Sequence, residues 1–80
     1  MTNTLWALAE GASARLSGFS EALDPAWLSR LRDLGFEPGE EVACVTAPRF
    51  GAPRTFRLSN SFFSVERTIA ECVLLELGRE

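Results

Sequence analysis

The feature that most constrains the fold is a helix, a tight corner and a strand in immediate succession, in the segment DPAWLSRLRDLGFEPGEEV. Asp24 suits the N-cap of a helix, and Pro25 suits the first helical position, where no backbone donor is needed. Gly35 stands where helices end in the left-handed conformation. Pro38 and Gly39 fill the central positions of a type II turn, so the corner is predicted to fix the angle at which the chain enters the next strand.

The predicted helix is short and amphipathic. Trp27, Leu28, Leu31 and Leu34 recur at helical spacing and are predicted to form one apolar face. A helix of about ten residues is too short to be stable in isolation, so it must dock on the rest of the protein.

Alternating apolar and polar residues predict the strands around this helix. Asn60 is expected at a hairpin turn, because it tolerates left-handed backbone. Short strands about ten residues apart are typical of a small closed or nearly closed barrel. The fold is therefore predicted to be mainly β, with one short α-helix between the first two barrel strands and a single helical turn before the last. The strands are predicted over residues 13–20, 41–47, 54–59, 61–65 and 72–77, and the helical turn over 66–71.

The inward-facing apolar positions of these elements form the predicted core. In the closing strand, Val73, Leu75 and Leu77 share one face because side chains alternate along a strand. The predicted core is Leu16, Leu28, Leu31, Leu34, Val42, Cys44, Phe56, Leu58, Val73 and Leu75.

Composition argues against several classes of function. The 80 residues are interpreted as one domain over residues 1–80, and the net charge of −3 argues against nucleic acid as a partner. There is no histidine and every cation is arginine, so the usual near-neutral acid–base residue and the lysine of Schiff-base chemistry are both missing. Glu37, Glu40 and Glu41 lie around a turn, where water would surround them. We therefore expect no enzymatic activity and no cofactor.

The two cysteines are interpreted as reduced thiols in the core. Cys44 and Cys72 lie far apart in apolar runs, and cysteines in such runs are usually buried. A disulfide or a paired-thiol metal site is the alternative. Without histidine, a metal site would depend on carboxylates, which suit Mg²⁺ or Ca²⁺ better than Fe²⁺. We expect no specific metal site.

The N-terminal segment resembles a secretion signal only superficially. The apolar run LWALA is about five residues long, no positive charge precedes it, and Glu10 interrupts it. No run approaches the ~18 apolar residues of a membrane span. We expect a cytoplasmic protein without direct membrane insertion.

A local basic cluster surrounds the loop PRFGAP, residues 48–53, in a chain that is acidic overall. Arg49, Arg54 and Arg57 supply the charge, and Phe50 is predicted to stand exposed at the loop tip. Interfaces favour arginine and aromatic residues, so these four residues are interpreted as a docking surface for a protein partner. An ordinary solvated face is the alternative. A role in RNA binding is weakly supported, because Phe50 alone could stack on bases.

Two segments carry a resemblance to a known family. RLRDLGFEPGEEV looks like the signature R-L-x-x-L-G-(apolar)-x-P-G-(x)-x-V of the FeoA family, and APRFGAP is similar to that family's apolar-Gly-x-Pro loop. The resemblance extends from Trp6 to Leu77. Two positions depart from the pattern: Glu66 precedes Arg67 where many members carry an arginine, and Asn60 replaces a frequent glycine.

This resemblance implies an SH3-like β-barrel and a regulatory role in iron uptake. FeoA proteins are small cytosolic accessory proteins that are thought to bind the cytoplasmic part of the ferrous iron transporter FeoB and to promote uptake. The implied partner is a FeoB-like transporter, and self-association is compatible with that role. The alternative is a free-standing metal-responsive sensor or effector domain, related to the C-terminal SH3-like module of metal-dependent repressors.

Overall fold

Short antiparallel strands are the main regular secondary structure of the protein in a computed structural model, which describes residues 3–76. They form one sheet in the order β1-β6-β2-β3-β4-β5, where numbering follows the chain. The strands are β1 (Asn3–Thr4), β2 (Ser13–Phe19), β3 (Glu41–Thr46), β4 (Arg54–Leu58), β5 (Ser61–Val65) and β6 (Val73–Leu75).

Strand β2 curls the sheet because it pairs with two neighbours in succession. Its first residues, from Ser13 to Arg15, pair with β3, and its later residues pair with β6. The register shifts between Leu16 and Gly18, and such an irregularity bends a strand and increases its twist. The result is the small, mainly β barrel that the sequence predicts.

Two short helices interrupt the strands where the sequence predicts them. Helix α1 (Pro25–Asp33) connects β2 to β3, and helix α2 (Arg67–Ala70) is the single turn before β6. A 3-10 turn over Leu5–Ala7 follows β1. The sequence did not predict β1 or this turn, because both are too short to show a periodic pattern.

Helix α1 begins and ends through the local signals of its sequence. The Asp24 carboxylate accepts a hydrogen bond from the backbone N–H of Ala26 at 2.8 Å. Gly35 has φ +105°, and the N–H of Phe36 donates to the carbonyl of Leu31 at 2.9 Å. This is the Schellman arrangement, in which a left-handed residue lets the chain turn back over the last helical carbonyls.

The corner after α1 is bonded directly to β2. Gly39 has φ +94°, and the N–H of Glu40 donates to the carbonyl of Glu37 at 3.1 Å, which closes the predicted turn. The N–H of Gly39 donates to the carbonyl of Leu16 at 2.8 Å, and the Arg15 guanidinium donates to the carbonyl of Gly39 at 2.8 Å. The corner therefore fixes where helix α1 lies against the barrel.

Most of the predicted core is buried, with one clear error. Leu34 is 40% exposed and Leu28 is half-buried, whereas Leu31 is 2% exposed. Helix α1 ends before Leu34, and Phe36, which follows the left-handed glycine, enters the core instead. The buried residues that the prediction omitted are Leu5, Leu23, Phe36, Val65, Ile69 and Ala70.

The hairpin between β4 and β5 differs from the prediction in one detail. Leu58 pairs with Ser61, so Ser59 and Asn60 form a two-residue turn. Ser59, not Asn60, has the positive φ of +60°. A positive φ at the first central position is typical of a type II′ turn. Leu77, which was predicted to share a face with Val73, lies outside the described residues.

Candidate functional site

The loop between β3 and β4 presents Phe50 to solvent. Its side chain is 100% exposed, as the sequence predicts. Phe50 has φ +66° and Gly51 has φ +74°, so two consecutive residues are left-handed. A bulky residue in this conformation costs about 1–3 kcal/mol, and such strain is concentrated at functional positions. The loop tip therefore carries an aromatic residue in an energetically unfavourable backbone conformation.

Arg54 is the first residue after this loop, and its side chain turns toward Trp6. Its guanidinium carbon lies 4.0 Å from the centre of the Trp6 ring, and Nη1 donates to the Trp6 carbonyl. Its Nε is buried and has no hydrogen-bond partner among the described residues. Arg67 approaches the same ring at 5.8 Å. Arg54 thus attaches the end of the loop to the N-terminal 3-10 turn.

Arg57 lies on the outer face of the sheet. It pairs with Ala43 of β3 and Phe62 of β5, and it shares a shallow polar depression with Glu40 and Glu41. Residues three apart in a strand point to opposite faces and are about 10 Å apart. The structure therefore brings Arg49 and Phe50 together at the loop tip but directs Arg54 and Arg57 to different faces.

The alternation of β4 contains the signal that separates these arginines. Phe56 and Leu58 face the core, so Arg54 shares their parity and Arg57 does not. Both arginines are predicted in one cluster because they are close in the sequence. The alternation of side chains along β4 puts them on opposite faces of the sheet.

An apolar groove that the sequence did not reveal lies between α1 and β5. We call it the α1–β5 groove; its volume is about 350 Å³. Trp27 (39% exposed), Leu34 (40%) and Phe62 (61%) line it. Phe36 and Phe63 also contribute, with ring centres 5.4 Å apart. Because β5 ends the sheet order, the groove borders an edge strand of the described sheet.

Charged residues of both signs line the α1–β5 groove. Arg30 lies over the Trp27 ring at 5.7 Å, and Glu66 lies where β5 leads into α2. The helical spacing places Trp27 and Leu34 on the apolar face of α1. Whether they line a groove also depends on the angle at which α1 docks on the barrel. The sequence pattern does not give that docking angle.

The thiols and carboxylates form no recognisable metal centre in the described part of the chain. Within residues 3–76, no three or more histidine, cysteine, aspartate or glutamate side chains are grouped to hold a metal ion. Cys44 and Cys72 are free, so the disulfide alternative is wrong, and Cys72 is only half-buried. Burial raises the pKa of the Cys44 thiol, an effect that Arg54 opposes and Glu10 reinforces. Cys44 is therefore a core thiol and is protected from reaction.

The helices of the described segment are too short or too polar to cross a membrane.

Comparison with known proteins gives a consistent family assignment. A family model described as the FeoA domain matches residues 3–77. The crystal structure of Stenotrophomonas maltophilia FeoA complexed with zinc aligns with a TM-score of 0.81 and 31% identity, over 95% of this chain and 89% of that one. It is described as a prokaryotic SH3 domain protein and a proposed bacterial ferrous iron transport activating factor. The predicted SH3-like fold is confirmed by this likeness.

Two further structures share the fold. FeoA of Chlorobium tepidum aligns with a TM-score of 0.82 and 25% identity, over 98% of this chain and 74% of that one. A manganese-dependent transcriptional repressor aligns with a TM-score of 0.82 and 16% identity, over 92% of this chain and 40% of the repressor. At that identity the repressor shows likeness of fold alone. A comparison with curated protein sequences finds no match.

Proposed function

The chain belongs to the FeoA family, and from this membership we propose that it is an accessory protein of bacterial ferrous iron uptake that binds the cytoplasmic part of a FeoB transporter. It acts in the cytoplasm by binding and not by catalysis. The description of the Stenotrophomonas maltophilia relative as a transport activating factor supports this proposal. The repressor likeness concerns the fold alone and adds no support to the sensor alternative.

The observation that carries the proposal is the exposed ring of Phe50 in left-handed backbone. Pro48 and Pro53 restrict the loop on both sides, so little further ordering is needed when a partner binds. The ring suits an apolar pocket, and Arg49 beside it suits an acidic rim. The partner surface that fits this loop is therefore a hydrophobic pocket bordered by carboxylates on the transporter.

The other two arginines of the predicted docking surface have different roles in this proposal. Arg54 supports the loop from its base through Trp6 instead of touching the partner. Arg57, on the outer sheet face, contributes charge at a distance, which changes the association rate more than the dissociation rate.

Replacing the ring tests the proposal. Phe50→Ala should weaken binding to the isolated cytoplasmic domain of FeoB by roughly 1–3 kcal/mol, the scale of an interface anchor. The melting temperature should stay unchanged, because the ring contacts solvent and not the core. Binding is measured by calorimetry at a concentration of this protein low enough to keep it monomeric, and melting is followed by circular dichroism.

The matched control is Phe62→Ala, which removes another exposed ring that lies away from the loop. It should bind the transporter domain like the wild type. Arg49→Glu should slow association at low salt and have less effect at high salt. Wild-type affinity in the Phe50→Ala variant, or equal losses in both phenylalanine variants, would rule out the loop as the docking surface.

A further inference from the structure

Among the described residues, the large exposed apolar side chains include one isolated aromatic ring and a group that lines a groove. Of the five that are large and exposed, Trp27, Leu34 and Phe62 line the α1–β5 groove, and Phe50 stands alone on its loop. Exposed apolar groups that cluster around a concave site mark a docking surface. We propose that the groove receives Phe50 from a second copy of this chain, in a reciprocal two-fold dimer.

The groove matches a phenylalanine ring in size and lining. Its volume of about 350 Å³ is large enough for one aromatic side chain. The exposed parts of Trp27 and Phe62 border the groove, and aromatic pairs favour tilted contacts with centres about 4.5–7 Å apart. Phe36 and Phe63 already adopt such a tilted arrangement, at 5.4 Å and 59°. An inserted Phe50 would extend this existing aromatic cluster.

The charges beside the ring and beside the groove are complementary. Arg49 directly precedes Phe50, and Glu66 lines the groove. Insertion of the ring therefore brings an arginine of one copy to a glutamate of the other. Arg30 borders the same groove, so repulsion of Arg49 by Arg30 favours the orientation in which Arg49 faces Glu66.

The positions of the loop and the groove allow both insertions to form at once. Arg54, the first residue after the loop, pairs with Val65, and Val65 lines the groove. The Val65 part of the groove therefore lies at the loop end of the β4–β5 pair, and Phe62 and Phe63 extend the groove along β5 away from the loop. A two-fold axis between the loop and the groove places each ring opposite the groove of the other copy, as an isologous interface requires.

The apolar surface that can be buried when Phe50 enters the groove indicates a weak dimer. It is too small for an interface that consists of one insertion alone. The full surface of Phe50 and the exposed fractions of Trp27, Leu34 and Phe62 amount to roughly 500 Å² for each insertion. One insertion is smaller than specific interfaces usually are, whereas two bury about 1,000 Å², near the lower limit for such an interface. The dimer is therefore reciprocal and dissociates on dilution.

Sedimentation velocity of the full chain, from micromolar to millimolar concentration, tests the inference. The wild type should shift from monomer to dimer over this range. Phe50→Ala and Leu34→Glu should each raise the dissociation constant by more than about tenfold, since one removes the ring and the other places a charge in the groove. Val45→Ala, which removes an exposed apolar side chain outside the groove, should leave the constant unchanged.

A charge exchange identifies the pairing and separates it from general loss of apolar surface. Arg49→Glu and Glu66→Arg should each weaken the dimer, because like charges then meet across the interface. The two changes together in one chain should restore the dissociation constant to within about threefold of the wild type. Melting curves confirm that each variant is folded.

A wild type that stays monomeric at millimolar concentration would overturn the inference. So would a dimer that persists in both the Phe50→Ala and Leu34→Glu variants, or a charge-exchanged chain that is no stronger than its single variants. None of these measurements involves the transporter, so they are independent of the proposed function.

Discussion

At the scale of the single residue, two glycines set the path of the chain around helix α1. Gly39 has φ +94°, and a Cβ built on it would meet no atom within 4 Å. Gly35 has φ +105°, and its Cβ would lie 3.4 Å from Cδ2 of Leu58. Backbone conformation alone therefore disfavours a side chain at Gly39, whereas at Gly35 an added Cβ would also touch a core neighbour.

Valine at either glycine should destabilise the protein. For Gly39→Val we expect a loss of about 1 kcal/mol or more in the free energy of unfolding, from backbone strain. Gly35→Val should lose at least as much, because its φ of +105° carries the same strain and the larger side chain would pack against Leu58. Urea denaturation measures both. Gly18→Ala is the control: Gly18 lacks a positive φ and has open space around its Cβ, so it should be neutral. Wild-type midpoints for both valine variants would contradict this account of the corner.

Residue-level prediction succeeded where the signal was local. The caps of α1 and the two left-handed glycines follow from the identity of single residues, and each was predicted correctly. The contact of Arg54 with Trp6 was not predicted, because the two residues are 48 positions apart in the sequence. Such a contact exists only after the fold has formed, so no short sequence pattern contains it.

At the scale of the element, helix α1 is held on the barrel by few side chains. Leu31 is 2% exposed, whereas Leu34, one turn later, is 40% exposed and lines the α1–β5 groove. The same apolar pattern thus serves two purposes, since one leucine anchors the helix and the next remains available at the surface.

Truncating the two leucines should have unequal effects. Leu31→Ala should cost roughly 2–5 kcal/mol of stability, enough to unfold much of a small domain. Leu34→Ala should cost clearly less than Leu31→Ala, because 40% of the surface of Leu34 stays exposed in the folded protein. Urea denaturation of both variants measures the difference. Equal losses would show that Leu34 also contributes to helix docking and that the groove is closed in solution.

The elements themselves were largely predictable, and the spaces between them were not. Strand alternation and helical spacing depend on neighbours in the sequence, so the succession of elements along the chain and the position of α1 could be predicted. Phe36 was missed as a core residue because it follows the helix and belongs to no periodic element. The α1–β5 groove was missed because it depends on the angle between a helix and a strand.

At the scale of the whole molecule, the side chains are poorly suited to hold iron. The sequence has no histidine, and within residues 3–76 no three or more carboxylate or thiol ligands are grouped together. Ferrous iron prefers sites that include nitrogen or sulfur donors in a fixed geometry. We therefore expect iron, in the proposed function, to be the cargo of the transporter and not to reside in this protein.

The isolated protein should not bind Fe²⁺ tightly. Anaerobic calorimetry at micromolar protein should show no stoichiometric heat of binding, and the melting temperature should not rise with Fe²⁺, because a ligand that binds the folded state would stabilise it. Mg²⁺ at the same concentration is the control for weak, general binding to carboxylates. A one-to-one isotherm with Fe²⁺ would support the metal-responsive sensor instead.

The full exposure of Phe50 would couple the two proposed equilibria, dimer formation and binding to the transporter. A ring that is seated in another copy cannot at the same time enter a pocket on a transporter, so both events draw on one pool of free monomers. Where the dimer dominates, mass action makes that pool grow only as the square root of the total, so tenfold more protein supplies roughly threefold more monomer. A transporter served by this chain would therefore be buffered against swings in the amount that the cell makes.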